Sequence, residues 1–394
     1  MKNFLKISAA ATSLLIAMSA AQADEQVWRF FVGDHEKVQI TVVEAGKDPI
    51  VWDQLTQPAR LAKSEDGQYV FAVQRDNGRV DFARSGFFTE DHGDHSDLKV
   101  TDPEWQGLFV TGAKPTHFVI HGHEVAAFMD GTGSVAKIDL EKAEDIYPLS
   151  YSVSAKAHHG VAVPLHGKLL ITAPTLDSES SLPDHVQALD AENKQIGELH
   201  ECKGLHGEAA SQSKIAFACV DGIRVFDEND LSTSQFFAYP EALGEGRSGR
   251  LDGGKTLQYF AGNFGKDKMI FIDVEGEGSF AQLQFDAPLV SGYFDPENSG
   301  QGFAHTADGK LHKIDTLSAT IVASAQVTEP VDMEAPWYSA RPNFTFAGDK
   351  VALVEPNKSV LKLISKSDLS IAEEIAVEGK PYQIVAIGGE LSDH

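Results

Sequence analysis

Apolar residues in this chain do not recur at the three- and four-residue spacing of an amphipathic helix. After residue 24, short runs rich in Val, Ile, Leu and Phe are bounded by Gly, Asp, Asn and Pro, a pattern of brief strands and tight turns. The runs themselves repeat. Residues 117–140, "HFVIHGHEVAAFMDGTGSVAKIDL", contain a short strand, a turn at His121-Gly122, an apolar strand, a turn at Asp130-Gly131 and a third strand closed by Ile138-Asp139. The same plan starts at Arg60 ("RLAKSEDGQYVFAVQRDNGRVDF"), His159 ("HGVAVPLHGKLLITAP") and His206 ("HGEAASQSKIAFACVDGIRVFD"). Looser copies start near Arg250, Gly292 and Arg341, and a last one, "YQIVAIGGEL" from Tyr382, is cut short.

A repeat of three or four antiparallel strands every 40 to 50 residues or so is the signature of a β-propeller blade. The expected fold is therefore all-β, a single propeller. Eight blades are favoured, and the looseness of the fifth and sixth copies leaves room for seven. The truncated last copy needs outer strands, and "VWRFFVGD" and "KVQITVVEA" near the N-terminus are two strands without partners of their own. Pairing them with the last blade would close the ring and remove its open sheet edges. A β-sandwich gives no reason for turns and terminal Ile-Asp or Phe-Asp pairs to recur at this spacing. With no break in composition, residues 24–394 read as one domain.

Residues 1–23 precede this pattern. Lys2 and Lys6, an apolar run to Met18 and the closing Ala21-Gln22-Ala23 form a secretory signal peptide with a cleavage site after Ala23. No later stretch is apolar for long enough to span a bilayer, so the expected product is an exported protein without membrane insertion. The formal charge of −25 becomes more negative by two when Lys2 and Lys6 leave with the leader. Such acidity argues against nucleic acid or anionic lipid as a partner and favours cations or basic proteins. Cys202 and Cys219, the only cysteines, are expected to form a disulfide in an oxidising compartment.

Aligning the copies on their turns puts Arg60, His117, His159, His206, Arg250, Gly292, Arg341 and Tyr382 in one register at the start of the innermost strand. Three consecutive blades thus bring histidine to one rim of the central channel. Three imidazole nitrogens are a standard ligand set for Zn²⁺, with a carboxylate or water as the fourth ligand. Copper or nickel would also accept them. Glu208, two residues from His206, is the nearest carboxylate in sequence; Asp332 is another candidate. His158 faces the other side of its strand, His305 could approach the same mouth, and His121 and His166 look like turn residues.

A second concentration of ligands is the stretch "EDHGDHSD", residues 90–97, in which His92 and His95 stand among acidic side chains. It interrupts the connection between the third and fourth strands of the first blade, "GRVDFARSG" and "GLFVTGA". A connection this long is expected to be functional or mobile. It lacks the ligand spacing and flanking helices of an EF-hand. On the assumed strand order it opens at the end of the blades opposite the histidine rim.

An exported propeller, a D-H-x-D-H-x-D loop at residues 91–97 and histidines at His117, His159 and His206 together resemble the AztD family of periplasmic zinc metallochaperones. The resemblance implies a monomeric propeller in the periplasm that binds Zn²⁺ and hands it to AztC, the substrate-binding protein of a zinc ABC transporter. Carried over to this chain, the loop's ligands are Asp91, His92, Asp94 and His95, and the protein is not an enzyme. The alternative is a propeller enzyme, a metal-assisted hydrolase or lyase, using the same rim, but no nucleophile elbow or dinucleotide fingerprint is present. A metal-free interaction module, with Arg60, Arg250 and Arg341 lining an anion-accepting channel, is the third reading.

Overall fold

In the computed structural model of the chain, residues 26–93, 96–141, 149–152, 156–175 and 179–390 are described; the leader expected at residues 1–23 lies outside them. Eight four-stranded antiparallel sheets are arranged as an eight-bladed β-propeller. The innermost strands, in chain order, are Arg60–Lys63, Pro115–His121, Ala162–Leu165, Glu208–Ser211, Leu251–Gly253, Leu289–Asp295, Asn343–Ala347 and Pro381–Glu390, which define blades 1 to 8. First strands of several successive blades touch, among them those of blades 2 and 3, 4 and 5, 7 and 8, and 8 and 1, as strands that line a central channel do. Seven copies and the truncated eighth match the eight starts of the sequence pattern.

Burial explains why the repeat reads as it does. The second strands, such as Tyr69–Gln74 and Glu124–Met129, are buried on both faces and are continuous apolar runs, because each lies between neighbouring strands and between neighbouring blades. The outermost strands are mostly exposed; in Glu104–Thr111 only Val110 is buried. Aromatic contacts pass from blade to blade, as where Phe71 meets Phe118 with ring centres 4.8 Å apart. Each such contact buries a large ring against the next sheet, the main source of cohesion in a ring of blades.

Ring closure uses both ends of the chain. Gln26–Asp34, Ile40–Glu44 and Ile50–Trp52 supply three strands of blade 8, and Pro381–Glu390 supplies the innermost one. Phe30 is opposite Ala386 and Val32 opposite Ile384 in that pairing. The third N-terminal strand, Ile50–Trp52, has only three residues, too few to stand out in the sequence pattern. Cys202, just past the last strand of blade 3, is bonded to Cys219, just past the second strand of blade 4, so the disulfide ties two neighbouring blades together.

The strand directions define two faces. Each innermost strand starts at one face and ends at the other, and the turn after the second strand returns to the first face. His117, His159 and His206 lie at the starts, and Asp130 lies in such a turn, so all belong to what is called here the histidine face. In blade 1 the third strand, Arg79–Arg84, ends at the opposite face, where Ser85 N–H donates to the Gln68 carbonyl of the first turn (2.9 Å). There the chain leaves the blade as a separate hairpin, Phe87–Asp91 paired with Ser96–Val100, before returning as Glu104–Thr111.

Candidate functional site

Three imidazoles from blades 2, 3 and 4 meet at the channel mouth. His117 is the third residue of its strand, while His159 and His206 lie three and two residues before theirs and are held by backbone bonds: His159 N–H to the Ser181 carbonyl (2.8 Å) and His206 N–H to that of Ala218 (3.0 Å). Gly160 lets the chain pass tightly after His159, since a β-carbon there would collide with His158, Thr172 and Phe128. The Nε2 atoms of His117 and His159 are 3.4 Å apart, and those of His159 and His206 are 3.3 Å apart. Tetrahedral bonds of about 2.0–2.1 Å to one ion place neighbouring nitrogens about 3.3–3.4 Å apart. The third edge is more open, with the His117 and His206 rings 6.2 Å apart between centres.

Each ring is aimed from behind. The outer nitrogen of His159, Nδ1, lies 2.7 Å from Asp130 Oδ2, that of His206 lies 2.7 Å from the Gly249 carbonyl, and that of His117 lies 3.3 Å from Glu208 Oε2. This is how proteins orient metal-binding imidazoles, with one nitrogen tied to an acceptor and the other left facing the ion. Glu208, the carboxylate nearest to the rim in sequence, therefore lies on the outer nitrogen of His117.

Burial would raise the Asp130 carboxyl, but the hydrogen bond from His159 and the nearby imidazole charges outweigh it and hold the group below the usual carboxylate range. Glu208 behaves alike: burial opposes ionisation, and His117 beside it prevails. Burial pushes His206 below the usual imidazole value, its two histidine neighbours add to that, and the Gly249 carbonyl only partly offsets it. His206 is thus neutral near pH 7, the form that binds metal.

Below the rim the channel continues as a cavity of about 200 Å³ whose lining includes Glu208, Asp252, Glu65 and Lys255. Asp252 accepts the Phe294 N–H (2.7 Å), and burial raises its carboxyl to about 6. At the far end Lys255 of blade 5 and Glu65 of blade 1 approach to 3.9 Å from opposite sides of the ring.

The other histidines have other neighbours. His158 is buried against Phe128 and pairs with Thr172 Oγ1 (3.0 Å) and the Lys156 carbonyl. His305 is fully buried and bonds Thr328 Oγ1 rather than facing the channel. His121 and His166 occupy first turns on the opposite face, where His121 Nε2 lies 3.4 Å from Glu228. Near them, His123, Asp139 and Glu141 form a small exposed group whose candidate ligand atoms lie within 4.8 Å of one another.

The hairpin is on that opposite face, as the strand order requires. Its base is fixed by Arg29 of blade 8, a buried guanidinium that donates to the Ser85 and Thr101 carbonyls, pairs with Glu44 (2.6 Å) and lies over the Phe87 ring. Gly86 is needed there: its φ is +84°, and a β-carbon would meet the Thr101 carbonyl. His92 lies 3.4 Å from Asp97 and 3.9 Å from Glu90, and Lys99 also reaches both carboxylates. Asp94 and His95 lie outside the described residues. Of the candidate ligand histidines among the described residues, His117, His159 and His206 thus lie on one face and His92 on the other.

No family profile matches the chain. A curated relative does: the zinc chaperone AztD of Citrobacter koseri is 34% identical over 407 aligned positions, covering 100% of this chain and 96% of the relative. The chain belongs to the AztD family. The crystal structure of Citrobacter koseri AztD superposes with a TM-score of 0.88 at 33% identity, covering 94% of this chain and 100% of that one. Its apo form gives 0.87 at 32%. Outside the AztD family, the dihydro-heme d1 dehydrogenase NirN, at 15% identity and a TM-score of 0.59, shares the fold alone. Among the described residues no helix is long and apolar enough to cross a membrane.

Sequence reasoning misses the orienting partners Asp130 and Gly249. Asp130 reads as a turn residue of an Asp-Gly pair; the one signal for it is that its turn opens on the same face as the three histidines.

Proposed function

We propose that this protein is a periplasmic zinc chaperone, without enzymatic activity, that carries Zn²⁺ on His117, His159 and His206 and passes it to the substrate-binding protein of a zinc ABC transporter. The observation that carries the proposal is the tetrahedral spacing of successive Nε2 atoms, 3.4 and 3.3 Å, on three rings whose other nitrogens are already engaged. Asp130, Glu208 and the Gly249 carbonyl orient the rings; Glu208 thus serves His117 from behind instead of supplying a fourth bond. The fourth position is then left for water or an incoming ligand of the acceptor, which allows exchange one bond at a time without releasing free ion. Membership of a family whose curated relative is a zinc chaperone supports the same reading.

The hairpin residues Asp91, His92, Asp94 and His95 act separately, collecting ions weakly at the opposite face. The carrier works as a monomer, exported by the leader at residues 1–23, and Cys202–Cys219 suits that compartment. Titrating the metal-free protein with Zn²⁺ against a competing chelator tests the core of the proposal. One tightly bound equivalent is expected, and a His117→Ala/His159→Ala/His206→Ala variant that keeps it would sink the assignment.

A further inference from the structure

The histidine face also carries the most exposed large apolar side chain of the described residues, Trp337, at 79%; its neighbour Tyr338 is 62% exposed. Both stand on residues 327–342, which connect the last strand of blade 6 to the first of blade 7 and therefore cross the histidine face. Blade 6 is four blades from blade 2, so the loop lies across the channel mouth from His117.

This loop is built to hold the aromatics out. Arg341 donates to the Ala335 carbonyl (2.7 Å), Ser339 N–H to that of Pro336 (2.9 Å) and Val331 N–H to that of Ala307 (2.7 Å). The ring of His35, in blade 8, donates to the Tyr338 carbonyl from Nε2 (2.9 Å). The two aromatic rings meet edge to face at 5.8 Å, leaving their outer surfaces to solvent. An ordered Trp-Tyr pair left uncovered is the composition of an interface hot spot. Asp332 and Glu334 flank it, beyond Glu329, which is paired with Lys358 (2.5 Å), on a chain whose formal charge is −25.

We infer that Trp337 and Tyr338 are the docking anchor for the protein that accepts the metal. The inference rests on the zinc-carrier reading above and names how the partner of that site is held. Handover by ligand exchange requires the acceptor's own ligands to reach the channel mouth, so its anchor must be on the same face yet clear of the histidines. The far rim meets both conditions. The acceptor presents an apolar pocket for the Trp337 indole, bordered by Lys or Arg side chains that face Asp332 and Glu334.

The test uses the full zinc-loaded chain and the metal-free substrate-binding protein of the zinc transporter from the same organism. Complex formation and zinc transfer are measured for the wild type, Trp337→Ala, Trp337→Ala/Tyr338→Ala and, as a control on the opposite face, Leu317→Ala, an apolar side chain 65% exposed in the turn after the third strand of blade 6. The aromatic variants are expected to weaken the complex by about tenfold or more and slow transfer, with zinc affinity in the chelator titration unchanged; the Leu317→Ala control keeps wild-type docking. Wild-type docking by Trp337→Ala, loss of docking in Leu317→Ala alone, or no complex with the wild type overturns the inference. So does sedimentation showing a zinc-loaded dimer that Trp337→Ala abolishes while acceptor binding persists, which would make a second copy the occupant. A wild type that holds no zinc instead overturns the carrier reading, and this inference with it.

Discussion

The channel-mouth histidines and the hairpin are made of the same residue types and differ in almost everything else. In the hairpin, ligand types crowd into eight residues, and His92 is exposed among carboxylates that Lys99 also reaches. At the channel mouth, His117, His159 and His206 are spread over some ninety residues, yet each is partly buried, aimed by a partner and spaced for one ion. Density of ligands along a chain concentrates cations by charge; affinity needs ligands held in place before the ion arrives, so that binding does not have to order them.

The sharpest way to break this contrast is to remove the rings. In the proposed reading, His117→Ala/His159→Ala/His206→Ala costs zinc affinity by about a thousandfold or more, roughly 4 kcal/mol, measured by chelator competition. An equal loss from the hairpin variant His92→Ala/His95→Ala would reverse the ranking of the two regions.

A third kind of histidine widens the comparison. His305 is buried in blade 6 and bonded to Thr328, and burial pushes it down to about 4. An unfolded imidazole titrates near about 6.5, so below that pH the unfolded chain takes up a proton that the folded one refuses. Its stability contribution is therefore full above about pH 6.5, falls as the pH drops toward 4, and amounts to about 3 kcal/mol over that window. Chemical denaturation at neutral and acidic pH should show a shallower acid loss for His305→Gln than for the wild type.

Next in size is the role of aim. Asp130→Asn keeps all three imidazoles but weakens the acceptor behind His159, and about a 10- to 100-fold loss of zinc affinity is expected. A full loss would make Asp130 itself a ligand, and no loss would leave the rings self-sufficient. The smallest effect belongs to the hairpin. His92→Ala/His95→Ala should change equilibrium affinity by less than about threefold while slowing uptake from dilute zinc, read by stopped-flow with a metal indicator.

Much of the fold is legible in the sequence. The strand period, the Asp-Gly turns and the truncated last copy specify the propeller and its closure and favour eight blades over seven, because each blade must repeat the same burial. The histidine register is legible for the same reason: equivalent positions in neighbouring blades are neighbours in space. Strand order likewise puts the hairpin on the far face. Residue order does not reveal which atom faces which. The partner of His206 is a backbone carbonyl at Gly249, which leaves no mark in residue identity, and Glu208 turns to the outer nitrogen of His117 by a side-chain rotation that spacing does not encode.

The Arg29 clamp has one more consequence, a matter of arm length. With the hairpin's base pinned at the Ser85 and Thr101 carbonyls, the described part beyond it is the five paired residues of each arm. At about 3.3 Å per residue that arm is about 17 Å long, whereas its path to the channel mouth of its own molecule runs around the outside of a blade or through a lumen crossed by Lys255 and Glu65. In the proposed reading, an ion collected by the hairpin is therefore better placed to meet another molecule than the histidines of its own chain, and a mixture of one variant lacking the hairpin ligands with another lacking the three rings should exchange zinc at a rate that rises with concentration.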